Sequence, residues 1–351
     1  MGLFSKLSYA SKAKAIAKKH GLSYELPEMG VESINQKAMK NRENTELFRD
    51  LLLYNFYKNP CAYTANNVMA LYVDVFNGLK TDVPGYEFFT SVGKYLEQAS
   101  KIEEIFESKE YYLNLANYEL ISDKRDVQKA FDVLVSIKPE CVDSDSQYMT
   151  GCLYYILKMP DMAKKVLEVS LEDMNDMQKA SANCILALMY LDEGKTVEAK
   201  ESAKMSVHST LPAVVTLSCK VLNELGAYDV VINSLNEERF ESLKNVRLFY
   251  EWVYALKKCS KSIDVCDQLV EEDILYSKAK EWANEDERVD IDMMIRDVNQ
   301  EIMDSIASSE MYEYADDTTK RMLNNQIMDA ATTGEDYEQR DLVVFAPYYL
   351  E

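Results

Sequence analysis

Only two histidines, His20 and His208, occur in the sequence, and they are far apart, so there is no HExxH run and no pair of imidazoles at metal-binding spacing. A Ser-His-Asp set lacks an evident base for the same reason. His208 falls near the end of a predicted helix, where an imidazole facing the last carbonyls is the expected role. No GxxxxGK[ST] or GxGxxG run cradles phosphate, and no DxDxDG loop organises calcium. The 60 acidic residues offer many carboxylate pairs, but nothing singles out two of them as acid and base, and two Trp and ten Gly are few for a sugar site. The residues therefore predict a protein that is not an enzyme and uses no cofactor or metal.

The charge balance narrows the partners. With 39 Lys plus Arg against 60 Asp plus Glu, the 351 residues carry a formal charge of -21, which opposes binding to phosphate backbones and excludes nucleic acid as an expected ligand. A natural ligand for such a field is a protein or peptide of basic character. Ten Gly and seven Pro leave little material for hairpins or a many-stranded sheet, so the fold class expected is all-α. Seven scattered cysteines, with no CxxC pair, predict reduced core thiols. No apolar run reaches the ~18 residues of a membrane span, and the first twenty residues lack a secretory core. A cytoplasmic protein is expected, with peripheral membrane attachment as a variant.

That variant rests on residues 1–24, which hold five lysines and no acid. Leu3, Phe4, Leu7, Ala10, Ala13, Ile16 and Ala17 recur at three- and four-residue steps, leaving Lys6, Lys12, Lys14, Lys18 and Lys19 mostly on the other side of a helix. Such a helix either docks on the protein's own acidic body or lies on an anionic membrane or partner, with Phe4, Lys6, Leu7, Lys12, Lys14, Lys18 and Lys19 as the contacting residues. A transit peptide is a lesser alternative. Gly2 opens a near match to an acylation motif, but Lys6 stands where a hydroxyl is required.

Residues 25–109 form a second region of helical hairpins. After a linker or short helix over 25–43, Glu46–Lys58 is amphipathic and stops before Pro60, Ala62–Leu79 ends near Gly78, and 86–108 supplies one or two more helices. From about residue 110 to 270 the pattern repeats. Ala116, Gly151, Ala187 and Cys219 follow one another at steps of 32 to 36 residues, each succeeded by Glu119, Tyr154, Tyr190 or Leu222 and then by a turn and a second helix. In Ser181–Pro212, the small Ala187, Ala199 and Ala203, the aromatic Tyr190, the turn Gly194 and the terminal Pro212 complete one unit. Small residues let two helices approach, an aromatic fills the space beside them, and proline ends the second helix.

This stretch resembles the tetratricopeptide-repeat (TPR) family, over a little under half of the chain. The resemblance implies stacked antiparallel helix pairs forming a TPR-like solenoid, and a non-enzymatic protein-protein interaction scaffold that binds a partner in its concave groove. Carried over position by position, it assigns the groove to Asn117, Tyr148, Tyr155, Asp192, Lys220, Asn223, Glu224 and Lys257. The set lacks the repeated Lys and Asn clamp with which family members hold a carboxyl terminus. A short internal peptide or a folded partner is therefore expected instead.

Residues 271–351 are read as an acidic helical cap and tail. Sixteen acids face four bases over 271–317, with an apolar stripe through Met293, Met294, Val298, Ile302, Met303 and Ile306. A further helix is expected near 318–331. The last apolar run, Leu342-Val343-Val344-Phe345-Ala346-Pro347-Tyr348-Tyr349-Leu350, is too sticky to stay exposed; it either folds back on the body or enters a partner.

Overall fold

The turn and cap residues cut the chain into short helices. Asn44 caps α3 (Thr45–Lys58) by accepting from the N–H of Leu47, and Pro60 follows its end. Gly78 adopts φ 102° just beyond α4 (Ala62–Phe76), a left-handed turn that costs glycine nothing. In this computed structural model, residues 3–99, 109–122, 125–137, 139–259, 276–285, 287–288, 291 and 337–350 are described. The described residues are helical or irregular, and none is in a strand. Most of the acidic stretch, its apolar stripe, the 318–331 helix and Cys266 lie outside them.

The helices sort into two compact units, the first comprising Met1–Met159 with Phe345–Glu351 and the second Pro160–Val344. The division falls within the 110–270 span, so α6 to α8 share a unit with the preceding hairpins.

The first unit contains α1 (Leu3–Lys19), α2 (Val31–Lys40), α3, α4, α5 (Tyr86–Ala99), α6 (Lys109–Ile121), α7 (Val127–Leu134) and α8 (Ser144–Ile156). Its core centres on α3 and α4, where Phe48, Leu51, Leu52, Phe56, Val68, Met69 and Leu71 are buried. Helix α1 lies on α3, burying Ala13 and Ala17 and setting Tyr9 against Phe56 and Tyr57. Docking in cis is thus the observed arrangement for this stretch. Where α5 approaches α6, a Cβ on Gly93 would stand 2.8 Å from the Tyr118 ring, so any other residue there would have to displace that ring.

The second unit contains α9 (Pro160–Ser170), α10 (Asp176–Asp192), α11 (Thr196–Ser206), α12 (Pro212–Glu224), α13 (Tyr228–Ser234), α14 (Glu237–Leu243) and α15 (Val246–Cys259), with residues 276–282 also helical. Asn175 and Gln178 form a reciprocal cap that starts α10. Ala187 packs fully buried in one cluster with Ala199 and Ala203 of α11, as the small-residue pattern predicts. Exchanging Ala187 for leucine should overpack this junction and cost roughly 1–3 kcal/mol, read as a lowered midpoint of chemical denaturation. An unchanged midpoint would contradict close approach at this position.

One local expectation changes. Pro212 does not end α11, which stops at Ser206; it is the first residue of α12, where its missing N–H is harmless. On α15, Trp252 is buried beside Phe249.

Candidate peptide groove

Helices α4 and α6 carry asparagines in otherwise apolar stretches, and α2 carries Asn35 between the buried Ile34 and Ala38. Asn35, Asn66, Asn67, Asn114 and Asn117 are all buried, a location that penalises a carboxamide unless its donors and acceptor are met. They are met largely by one another and by a stretch of backbone. Asn114 Nδ2 donates to Asn66 Oδ1 at 3.0 Å, Asn66 Nδ2 to Asn67 Oδ1 at 3.2 Å, and Asn67 Nδ2 to Asn35 Oδ1 at 2.7 Å.

The backbone is that of residues 345–350, which belong to the same unit. Asn114 accepts from the N–H of Tyr348 at 3.0 Å and donates to its carbonyl at 2.5 Å; Asn67 treats Leu350 the same way, at 2.8 and 3.0 Å. Each carboxamide thus pairs with both polar groups of one residue, as a neighbouring strand would. Asn117 donates to the Ala346 carbonyl at 2.9 Å, and Asn77, which caps α4, donates to that of Phe345 at 2.6 Å. The Leu350 carbonyl also accepts from Asn35 and the Tyr63 hydroxyl, at 2.7 and 3.1 Å. Residues 346, 348 and 350 share one side of an extended chain, so anchoring every second residue matches its period of two. Pro347 stands between anchored positions, where its lack of an N–H forfeits none of these bonds. The buried Oδ1 of Asn117 has no partner.

Side chains add a second layer. The Tyr349 hydroxyl donates to Asp74 at 2.6 Å, its ring meets Phe48 edge-on with centroids 5.5 Å apart, and the Arg42 guanidinium lies 5.2 Å from its centroid. Phe345 meets Phe76 at 5.5 Å, perpendicular. Burial, and after it the charge of Asp74, pushes the Tyr349 phenol far up, with Arg42 opposing. Tyr348 is pushed up by burial and then by Asp145, Asp143 and Glu110. The groove accordingly disfavours negative charge at either tyrosine. In the second unit, Leu342 and Val343 are buried and Ser181 donates to the Leu342 carbonyl. The apolar run therefore folds back on the body, one of the two alternatives.

The residues assigned by resemblance are divided between the units. Asn117 touches the bound segment; Tyr148 is buried on α8 with its hydroxyl near the Cys152 thiol, which burial pushes up to about 12, and Tyr155 is half-buried on the same helix. In the second unit Asp192 and Glu224 are exposed, Lys220 is half-buried, and Asn223 Nδ2 donates to the Glu251 carboxylate at 2.8 Å. On the basic helix, Lys12, Lys14 and Lys18 are exposed, and Lys19 pairs with Glu46 at 2.6 Å and Asp50 at 2.7 Å. The side chains of Phe4, Lys6, Leu7 and Lys257 lie outside the described residues. Repeated asparagines do line a groove, but on α2, α4 and α6, mostly ahead of the repeat positions. Asn35, Asn66, Asn67, Asn77 and Asn114 fall outside the set that the resemblance assigns; for Asn66, Asn67 and Asn114 a poor helix former inside an apolar helical run is the signal that marks them, whereas Asn35 lies in a largely polar helix and Asn77 at the end of α4.

Two further sites differ from expectation or make it sharper. The carbonyls beyond α11 are met by Arg239, which donates to Val207 and, at 3.1 Å, to Ser209, while His208 Nδ1 lies 3.2 Å from the same guanidinium. The arginine takes the role expected of the histidine. Burial pushes the Glu251 carboxyl up, against the opposing Asn223 bond and Lys220, while Asn223 Oδ1 is left without a partner. Above the ordinary glutamate value the unfolded chain has released a proton that the folded chain still holds, so this group's contribution to stability declines as pH rises through that window. Glu251→Gln is expected to gain about 1 kcal/mol at pH 7 and to flatten that decline, measured by denaturation between pH 4 and 8. A loss of stability at pH 7 would refute the assignment.

Among the described residues Cys61, Cys141, Cys152, Cys184 and Cys219 form no disulfide. No helix of the described residues is long and apolar enough to cross a membrane. No family model matches this chain, and no curated protein matches its sequence.

Proposed function

We propose that this protein is a non-enzymatic interaction scaffold, a helical solenoid of TPR-like kind, whose first unit binds an extended polypeptide segment. The observation that carries this reading is the two-sided pairing of Asn67 and Asn114 with the backbone of Leu350 and Tyr348. Backbone pairing of this type accepts a strand of any origin, as strand addition does, and the chain's own segment is its resident. Carboxylates of Asp74, Asp143, Asp145 and Glu110 act on the bound tyrosines, which suits a partner segment with basic flanks.

The test uses the full-length chain with residues 345–350 replaced by glycine and serine, its helicity checked by circular dichroism. A labelled peptide of residues 341–350 should bind saturably, and Asn67→Ala with Asn114→Ala should abolish binding. Absence of binding by the folded protein would remove the reading.

A second reading, a peripheral membrane adaptor, is favoured by the exposure of Lys12, Lys14 and Lys18 on α1, flanking the buried Ala13 and Ala17. It differs from insertion, because those two apolar positions are already covered by the protein. Flotation with anionic vesicles should then weaken as salt rises and disappear on charge reversal of the three lysines. Flotation indifferent to both would exclude it.

A further inference from the structure

The Asn ladder grips backbone and is indifferent to sequence, so any selectivity of the groove resides where side chains enter it. The most completely built of these places is the one around Tyr349. Phe48 supplies an apolar edge, Arg42 covers the ring face, and Asp74 accepts the hydroxyl. Arg42 also lies 3.3 Å from the Asp74 carboxylate, which fixes the acceptor that reads the phenol. Aromatic ring, cation and acceptor together match tyrosine.

We infer that this pocket selects an extended segment carrying tyrosine with a free hydroxyl, of the pattern Phe-x-Pro-Tyr-Tyr-aliphatic, and rejects phosphotyrosine. This rests on the reading of the groove as a peptide site and names the partner's chemistry. Phenylalanine would fill the same space but leave Asp74 without its donor. Because Arg42 remains as a partner for the carboxylate, the penalty is modest, about tenfold, instead of the several decades seen where a buried acceptor is orphaned. A phosphate would set a dianion where the carboxylate now lies 2.6 Å from the hydroxyl, and Arg42 cannot serve both without leaving Asp74. The neighbouring position is also averse to charge, with burial and then Asp145, Asp143 and Glu110 acting on Tyr348.

The same full-length, tail-replaced protein serves as the receptor for four peptides of residues 341–350: unmodified, Tyr349→Phe, Tyr349→Ala, and phosphorylated at Tyr349. Expected are tight binding, a loss of about tenfold, a larger loss, and a loss of at least a hundredfold, in that order. Asp74→Asn in the receptor should narrow the gap between the phosphorylated and unmodified peptides while the unmodified peptide still binds. If the unmodified and phosphorylated peptides bind equally, the inference fails and the groove reading stands. If none binds, the groove reading itself fails. Should Asp74→Asn not fold, Arg42→Gln is the second variant; it should widen the same gap, and an unchanged gap would overturn the role given to the pocket's charges.

Discussion

Asp50→Ala is expected to destabilise the first unit by about 3–5 kcal/mol, because it strands charge that the fold has taken out of water. One carboxylate oxygen accepts from Lys19 and His20, each at 2.7 Å, and the other from the Arg49 guanidinium at 2.7 Å. Asp50 and Arg49 are both buried. Arg49 would keep the Thr81 hydroxyl, the Asp82 carbonyl and, at 4.0 Å, the exposed Glu46 carboxylate, which only partly replace a buried counter-charge in direct contact. Lys19 and His20 also end the basic segment, so the same substitution should loosen α1 and open the turn beyond it to protease. Burial raises the Asp50 carboxyl, but the bonds from Lys19, His20 and Arg49 outweigh it and hold the group below the ordinary aspartate range. A depressed value means that the stabilisation is complete above the unfolded value, near pH 4, and is lost as pH falls through the folded one. Asp50→Asn should remove this acid-dependent increment. Equal acid sensitivity in the wild type and this variant would deny Asp50 its role.

The contrast between what could and could not be read beforehand has a physical basis. Helical periodicity, proline and glycine are local, so the extents of α3 and α4 and the packing of Ala187 on Ala199 and Ala203 follow from nearby residues. The lysine asymmetry of residues 1–24 identifies α1 as a helix needing a counterpart, but the counterpart is settled by Asp50 and Glu46, about thirty residues away. The groove is the extreme case. Asn114 and Tyr348 are 234 positions apart, and an asparagine in isolation reads equally well as a cap, a turn or a surface residue. The stickiness of 342–350 indicates that it must be covered; what covers it depends on five buried carboxamides whose sense emerges only when three helices bring them together. Pro212 follows the same logic, since a proline between two helices marks the boundary without saying which helix it serves.

Asn114→Ala carries the second large effect. The substitution removes two bonds to Tyr348 and one to Asn66 from a buried side chain, and at roughly 1 kcal/mol for each the docked segment loses about 3 kcal/mol. The chain need not unfold to escape that cost, because it can release residues 345–350 and rehydrate the groove. The loss is therefore capped by the free energy of docking, and global denaturation understates it. Amide exchange reads it directly: the Leu350 N–H, held by Asn67, opens with the segment, and about 3 kcal/mol corresponds to roughly a hundredfold faster exchange where opening is local. Helices α10 and α11 should keep their protection. A cycle with Asn67→Ala distinguishes a cooperative ladder from independent pegs, since the Asn114–Asn66–Asn67 chain of bonds predicts a combined loss smaller than the sum once the first substitution has freed the segment. If exchange at Leu350 is unchanged in Asn114→Ala, the asparagines do not hold the segment and the groove has no claim to bind one from elsewhere.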